Sequence, residues 1–195
     1  MISDLDLGAG KLACAYSFCY LLCMEVRSVE AIVRALNAAN VRYLIVGGLA
    51  VNAHGYERLT RDVDVVIGLE SENIVRGLRA LLELGYRMSI PVTPEEFADV
   101  SNRQAWRNEK NMTVLRLWSD LHRRTPVDVF VYEPFDFAEE YATATWKEIA
   151  GELKTAIVRC ETLIAMKRFA GRPQDLADAA ELEEIQRLKQ SAGRD

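Results

Sequence analysis

Two acidic residues stand in an apolar run in the first third of the chain. Asp62 and Asp64 are two residues apart in a valine-rich segment that ends at Ile67. This segment predicts a buried strand over 62–67. Side chains two apart in a strand share one face, so both carboxylates are expected on the same side of the sheet. Because neighbouring carboxylates repel each other unless a cation lies between them, the pair predicts a site for Mg²⁺.

A glycine pair precedes this acidic strand. Tyr43–Val46 is apolar and predicts a first strand, Gly47 and Gly48 follow it directly, and 49–54 predicts a short helix that ends at His54 beside a glycine. A helix-end role is the simpler interpretation of His54. Glycines before a helix start let backbone N–H groups approach a phosphate. The order of strand, glycine pair, helix and acidic strand therefore favours nucleotide chemistry.

A third acid, Asp128, stands inside the apolar segment Pro126–Val131. Taken singly, a glycine pair, an Asp-x-Asp sequence and one strand acid are all common in turns and at strand ends. Three carboxylates among valines are costly to bury unless cations pair with them. Their joint occurrence on strand-like segments therefore predicts a catalytic site.

These motifs resemble the signature of nucleotidyltransferases of the DNA polymerase β superfamily. That signature is a Gly-Gly or Gly-Ser pair after the first strand and Asp-x-Asp on the next. The local form, Arg58-x-Thr60-Arg61-Asp62-x-Asp64, is similar to the AbiEii/AbiGii toxin-like branch. The resemblance implies an α+β protein with the polymerase β-like nucleotidyltransferase fold. Such a fold has a mixed β-sheet flanked by helices and, here, a helical C-terminal segment.

The resemblance also implies residue roles. The catalytic and metal-holding residues would be Asp62, Asp64 and Asp128, which would hold two Mg²⁺ or Mn²⁺ ions. The nucleotide-binding residues would be Gly47, Gly48, Arg58, Thr60, Arg61, Lys167 and Asp175. Arg58 and Arg61 would offset phosphate charge or else be surface charges. Gly48 departs from the many members that carry a phosphate-binding serine there, and backbone contacts can substitute for it.

A second segment carries the same resemblance. Lys167 is followed by Arg172-x-x-Asp175-x-x-Asp178, and the two acids share a helix face. This is similar to the Lys…Arg-x-x-Asp-x-x-Asp segment of the AbiEii-like branch. There the lysine reaches the nucleotide phosphates, and the acids are interpreted as orienting it. An acidic helix N-terminus is also favoured by the helix dipole alone.

Periodicity, caps and glycine stops predict the other elements. The predicted helices cover 28–40, 71 to a stop at Gly85, a start at the capping box 93–96, 161–170, and the chain from Pro173. The predicted strands cover 103–108 and 112–118 as a hairpin, and 155–158. The predicted organisation is an N-terminal extension over 1–24, a nucleotidyltransferase core over 25–133, and a mainly helical segment over 134–195. The extension either precedes the true domain or packs on it as an extra helix.

Composition narrows the setting. The chain has 195 residues and a net charge of −5, which suits one domain and argues against a general nucleic-acid coat protein. The four cysteines match no zinc spacing, which favours a reduced, cytoplasmic protein. The apolar stretch at 12–24 is too short to cross a membrane, so no membrane association is expected.

The expected reaction is transfer of NMP from an NTP such as ATP to an acceptor. The resemblance suggests a toxin of a toxin–antitoxin pair, with tRNA or another RNA as acceptor and a cognate antitoxin protein as partner. A basic and aromatic group could form an RNA-binding patch or simply be the outer face of the hairpin, which is the simpler interpretation. The group comprises Arg103, Trp106, Arg107 and Lys110. The alternatives are a small-molecule acceptor as for aminoglycosides, a protein acceptor, and a non-catalytic nucleotide-binding or antitoxin-like module.

Overall fold

The computed structural model describes residues 25–150 and 153–192. The helices of this part are α1 (Val26–Ala38), α2 (Gly47–His54), α3 (Ser71–Glu83), α4 (Pro94–Ala98), α5 (Val100–Lys110), α6 (Phe137–Ala142), α7 (Cys160–Ala170) and α8 (Pro173–Ala192). The strands are β1 (Tyr43–Ile45), β2 (Val63–Ile67), β3 (Tyr86–Met88), β4 (Val114–Ser119), β5 (Val127–Phe130), β6 (Thr145–Ala150) and β7 (Leu153–Ile157).

The described strands form one seven-stranded mixed sheet in the order β3-β4-β5-β2-β1-β7-β6. β1 pairs antiparallel with β2 and parallel with β7, while β2 pairs parallel with β5. β4 pairs antiparallel with both β3 and β5, and β6 pairs antiparallel with β7. The acidic strand β2 therefore lies at the centre of the sheet, and the predicted α+β class with a mixed sheet is confirmed.

Amphipathic helices cover this sheet because their apolar residues recur every three or four positions. The buried faces of α1 and α3 include Val29, Ile32, Val33, Leu36, Ile74, Leu78 and Leu81. They join the inward valines of β2 and β5 in one apolar cluster, which also includes residues of α7 and α8. The predicted i, i+3, i+4, i+7 face of α1 is confirmed.

Local stop and start signals act where the sequence predicted them. Gly85 follows α3 with φ +91° and Gly171 ends α7 with φ +65°, conformations that favour glycine. The capping box is present before α4: the Thr93 side chain accepts from the Glu96 backbone N–H, and the Glu96 side chain accepts from the Thr93 N–H. His54 is the last residue of α2, and its Nε2 lies 2.8 Å from the Val158 carbonyl oxygen.

The strand predicted over 103–108 is wrong, since these residues belong to α5. Asp99 caps this helix by accepting from the N–H groups of Ser101 and Asn102. Asn111 ends the helix in a left-handed conformation with φ 50°. The segment between the two caps contains mostly good helix formers, so its capping residues define it better than its short polar pattern does. The second strand of the proposed hairpin exists as β4.

Three strands were not predicted as such from the sequence. β3 is only three residues long, and most of β6 is exposed at the edge of the sheet, so neither shows a clear alternation of apolar and polar residues. β7 overlaps the strand predicted over 155–158 but begins earlier. The C-terminal third therefore contributes two strands to the sheet besides its helices. Residues 1–24 lie outside the described ranges, and the proposed division of the chain stays a prediction.

Two further properties concern the described residues alone. No helix among them has the length and apolar character that a membrane span requires. Cys160, at the start of α7, is a free cysteine.

Candidate active site

The register of two neighbouring strands places the predicted acids together. β2 and β5 run parallel, and Asp64 lies directly opposite Asp128. Val63 and Val127 point to the other face and are fully buried, as period-two alternation requires. Asp62 immediately precedes β2 and shares the face of Asp64. Three carboxylates from two segments of the sequence therefore meet on one face of the central sheet.

The glycine turn packs directly on this acidic face. Gly47 has φ +62°, and a Cβ atom at this position would lie 2.0 Å from Oδ2 of Asp64. The backbone of Gly48 also hydrogen-bonds to Asp64. Only glycine at position 47 permits both the backbone conformation and the approach to Asp64. The start of α2 and the carboxylate are therefore parts of the same site.

Gly48 makes a second close approach, to the loop before β2. A Cβ atom at Gly48 would lie 2.3 Å from Oγ1 of Thr60 and 3.1 Å from Nη2 of Arg58. Oγ1 of Thr60 therefore lies where a side chain from position 48 would extend. This contact explains in physical terms why glycine stands at 48, where the resembling family often carries serine.

The electrostatics of Asp64 reflect this crowding. Burial raises the pKa of Asp64 to about 7, with further upward contributions from the charges of Asp128 and Asp62. The charge of Lys167 and the hydrogen bond from Gly48 act in the opposite direction. The site thus holds more negative charge than its own surroundings compensate.

Arg116, which the sequence analysis did not single out, offsets part of this charge. It lies on β4 opposite Asp128 in the antiparallel register. Its Nε donates to Oδ1 of Asp128 at 2.8 Å and its Nη2 to Oδ2 at 2.7 Å, the two-pronged geometry of a strong ion pair. Nη2 also donates to Oδ2 of Asp62 at 3.1 Å. The hydrogen bond and the charge of Asp128 raise the pKa of Arg116 further above its ordinary value.

A sequence signal for Arg116 existed. It is the only charged residue within the otherwise apolar and alternating strand Val114–Ser119. A single charge in such a strand needs a partner, but the sequence does not reveal which strand lies beside it. The pairing of β4 with β5 supplies Asp128 as that partner.

A second charged cluster lies on the α7–α8 side of the cleft. The buried Lys167 donates from Nζ to Asp175 at 2.7 Å and forms an ion pair with Asp178 at 2.8 Å. Arg172 also binds Asp175, and Arg58 Nη2 donates to Asp178 at 2.9 Å. Because a lysine ammonium has three donors, these two pairs leave one for a ligand. We name these five side chains the buried ion-pair network.

This network connects distant parts of the chain. Arg58 precedes β2, Lys167 lies on α7, and Asp175 and Asp178 lie on the first turns of α8. The expectation that the acids orient Lys167 agrees with these contacts. The network also gives Arg58 a partner that the sequence analysis did not identify. Arg61 is exposed and lies in the wall of the same cleft.

All these groups face one cleft of about 1450 Å³. Its wall also includes an aromatic region beyond Asp128, with Phe130, Tyr132 and Phe135. Arg107 reaches this wall from α5, with its guanidinium carbon 3.8 Å from the centre of the Tyr132 ring. The sequence-predicted site residues Gly47, Gly48, Arg58, Thr60, Arg61, Asp62, Asp64, Asp128, Lys167 and Asp175 all line this cleft.

The basic and aromatic group expected on a hairpin is not a joint surface. Arg103 is buried, and its Nη1 donates to the carbonyl oxygens of Phe97 at 2.8 Å and Ala98 at 2.7 Å. Trp106 packs against Phe97 with ring centres 5.9 Å apart. Both residues therefore stabilise the α4–α5 corner. Of the group, Arg107 alone lines the cleft described above.

The acids provide the hard oxygen ligands that Mg²⁺ and Mn²⁺ prefer. As the side chains stand, no group of three His, Cys, Asp or Glu in the described part of the chain could hold a metal ion. Asp62 and Asp128 are both bonded to Arg116 instead. The raised pKa of Asp64 shows that added positive charge would relieve repulsion here. The donor set therefore fits a divalent cation, provided that Arg116 releases the two carboxylates.

Comparison with solved structures gives three likenesses. A lincosamide antibiotic adenylyltransferase in its lincomycin-bound form aligns with 84% of this chain and 99% of its own, at 13% identity and TM-score 0.53. The antibiotic-resistance factor ANT(2'')-Ia aligns with 87% of this chain and 92% of its own, at 15% identity and TM-score 0.52. An antigenic nucleotidyltransferase-like protein from Paracoccidioides brasiliensis aligns with 81% and 75%, at 18% identity and TM-score 0.50.

At the level of sequence, no protein-family model and no curated protein matches the chain. The likenesses, at identities of 13–18%, therefore concern the fold. They extend over most of this chain and most of each compared protein. The chain has the α+β fold of nucleotidyltransferases, the polymerase β-like fold that its glycine pair and Asp-x-Asp motif predicted.

Proposed function

We propose that this protein is a metal-dependent nucleotidyltransferase that transfers NMP from an NTP, such as ATP, to an acceptor. The observation that carries the proposal is the pairing of Asp64 with Asp128 across β2 and β5, with the Gly47 turn packed on Asp64. A turn that can bind phosphate thus lies beside acids that can bind a cation. Pyrophosphate is the second product.

Each side chain has a role in this proposal. Asp62, Asp64 and Asp128 hold Mg²⁺ or Mn²⁺, which supplies charge stabilisation to the phosphoryl group and lowers the pKa of the attacking group. The backbone at Gly47 and Gly48 binds the phosphates at the start of α2. Asp128, opposite Asp64, is the group placed to accept the proton of the acceptor hydroxyl.

The α7–α8 side contributes positive charge. Lys167 offers its remaining donor to the phosphates, while Asp175 holds the ammonium in place. The hydroxyl of Thr60, next to Gly48, adds a side-chain donor at the same turn. Arg58 and Arg61 offset phosphate charge, Arg58 from its position in the buried ion-pair network.

For the acceptor, we propose RNA such as tRNA, as for a toxin of the AbiEii/AbiGii-like branch with a cognate antitoxin. The support is the motif Arg58-x-Thr60-Arg61-Asp62-x-Asp64 together with Lys167 and its acidic partners. A small molecule is the second candidate. It is favoured by the fold shared with a lincosamide antibiotic adenylyltransferase.

Transfer of label from the α-phosphate tests the reaction. The full chain is incubated with each α-labelled NTP and Mg²⁺, in parallel with total RNA, a set of aminoglycosides and lincosamides, and cell lysate protein. We expect labelled RNA and released pyrophosphate. Asp128→Asn should abolish the label, whereas Asp120→Asn, an exposed acid after β4, should not.

The other outcomes are equally informative. Label in an antibiotic supports the second candidate, and label in protein supports a protein-modifying enzyme. Release of γ-phosphate alone indicates an NTPase. NTP binding that depends on Asp62 and Lys167, without any labelled product, refutes the enzyme and indicates a nucleotide-binding or antitoxin-like module.

A further inference from the structure

The order of the strands divides the cleft into two sides. On one side of β2 lie β1 and β7, which lead into the Gly47 turn and into α7 with Lys167. On the other side lie β5 and β4, which carry Asp128 and Arg116. The groups proposed to bind phosphate and the groups beyond Asp128 are therefore on opposite sides of the central acidic strand.

The geometry of phosphoryl transfer assigns these sides. In such reactions the attacking and the leaving oxygens lie roughly in line through the phosphorus. If the leaving pyrophosphate binds at Gly47, Gly48 and Lys167, the acceptor approaches from the side of β5. The groups that follow Asp128 along β5 are then the ones that contact the acceptor.

Those groups form a small aromatic surface. Phe130 is two residues after Asp128 on β5 and shares its face. The Tyr132 ring lies edge-on to Phe130 with ring centres 5.9 Å apart, and both side chains are partly exposed in the cleft. Arg107 lies over the Tyr132 ring at 3.8 Å. We name Phe130, Tyr132 and Arg107 the aromatic shelf.

The charges around the shelf restrict what it can bind. Among the described residues, Arg107 has no ion-pair partner, so its charge is balanced only by the ring beneath it. The nearest acid of the wall in sequence, Glu133, accepts the backbone N–H of Leu69 at 3.1 Å. A polycation would meet an arginine and an already bonded carboxylate. A planar ring linked to a phosphate would instead meet stacking faces and a guanidinium.

We propose that the aromatic shelf is the acceptor subsite and that it holds a nucleobase of a single-stranded RNA end, which presents its hydroxyl to Asp128. The inference rests on the proposed nucleotidyl transfer and names the chemistry of its acceptor. Stacking on aromatic side chains tolerates any base, because every base has a π-face. The guanidinium of Arg107 pairs with the phosphate that follows the stacked base.

Binding without turnover tests this subsite. Titration calorimetry compares a ribotrinucleotide with the same trinucleotide that has an abasic 3′ residue, using the full chain without NTP. Tyr132→Leu keeps apolar bulk but removes the stacking face, and Arg107→Gln changes an exposed side chain of α5. The matched control is Trp146→Leu, an exposed aromatic on the edge strand β6.

We expect Tyr132→Leu and Arg107→Gln each to weaken trinucleotide binding by about tenfold, as the loss of one stacked base or one charge-assisted contact does. The abasic trinucleotide should bind wild type weakly and lose little more in Tyr132→Leu. Binding of ATP with Mg²⁺ should stay within about twofold in every variant. Trp146→Leu should match wild type throughout.

Three results would overturn the proposal. Unchanged trinucleotide binding in both shelf variants would remove the subsite. Weakened ATP binding with unchanged tripolyphosphate binding would assign the shelf to the base of the NTP. A label transferred to an aminoglycoside, with a KM that depends on Tyr132, would assign it to a small molecule. If wild type transfers no label while trinucleotide binding still depends on the shelf, the reaction is refuted and base binding is supported.

Discussion

The two sides of the cleft both pair acids with a base, but they bury these pairs to different degrees. On the α7–α8 side the side chains of Lys167, Asp175 and Asp178 are 8%, 3% and 1% exposed. On the β2–β5 side Arg116, which pairs with Asp62 and Asp128, is 51% exposed. A buried pair is costly to break, whereas an exposed pair exchanges readily with solvent ions.

This difference indicates two different tasks. The buried ion-pair network keeps one arrangement whether or not a ligand is present, so it can hold a lysine ready for phosphate. The Arg116 pair provides temporary positive charge at carboxylates that a cation can take over. Stable side-chain geometry and replaceable charge therefore lie within one cleft, and variants on each side should affect different measurements.

The largest effect is expected from Asp64→Asn. The amide keeps the shape but loses the charge that holds a cation, so transfer should fall by about a thousandfold, a barrier increase of about 4 kcal/mol. Rates of labelled-product formation measure the change, and circular dichroism checks the fold. Asp120→Asn is the matched control. Activity within about tenfold of wild type would contradict the assignment of Asp64.

Lys167→Met should act mainly on stability. It leaves Asp175 and Asp178 buried without their shared cation, which should lower the free energy of unfolding by about 3 kcal/mol. Urea denaturation measures the loss. The exposed Lys147→Met on β6 is the control and should change little. Adding Asp175→Asn and Asp178→Asn to Lys167→Met should recover part of the stability, and a failure to recover would mean that the pairs do not explain the loss.

Arg116→Gln should change cation binding more than stability. The glutamine removes a guanidinium that competes for Asp62 and Asp128, so Mg²⁺ should bind about fivefold more tightly, equivalent to about 1 kcal/mol for an exposed pair. Calorimetric titration of Mg²⁺ without nucleotide gives the affinity. Weaker Mg²⁺ binding would show instead that Arg116 holds the carboxylates in the arrangement that the cation needs.

The smallest expected effect is a dependence on pH. The pKa of Asp64 is raised to about 7 from 3.8, so the folded protein binds more protons than the unfolded chain between these values. Stability without added cation should therefore fall as the pH rises through this window. Thermal melts at pH 5 and pH 8 measure it, with and without Mg²⁺. Asp64→Asn should remove this component, and Mg²⁺ should stabilise wild type more at pH 8.

The sequence predicted the centre of the cleft better than its sides. Asp62, Asp64 and Asp128 could be found because each interrupts an apolar strand, which is a local signal. Arg116 gives the same kind of signal, but its role depends on β4 lying next to β5. That register becomes visible only in the fold.

The errors have a common physical origin. Residues 103–108 were predicted as a strand because the pattern was short, whereas the Asp99 cap and the left-handed Asn111 define α5. The aromatic shelf joins Arg107 on that helix to Tyr132 after β5, so no pattern within either segment reveals it. Contacts between distant segments follow from packing rather than from periodicity. The roles of the predicted site residues stay predictions until they are tested.

The close contact between Gly48 and Thr60 has a consequence for how this chain can change over evolutionary time. A side chain at position 48 would meet Thr60 Oγ1 at 2.3 Å and Thr60 Cβ at 2.8 Å, so the two positions cannot vary independently. A serine at 48 becomes tolerable only after position 60 has become smaller. The order of the two substitutions is therefore fixed, and related sequences should contain a side chain at one of the two positions but seldom at both.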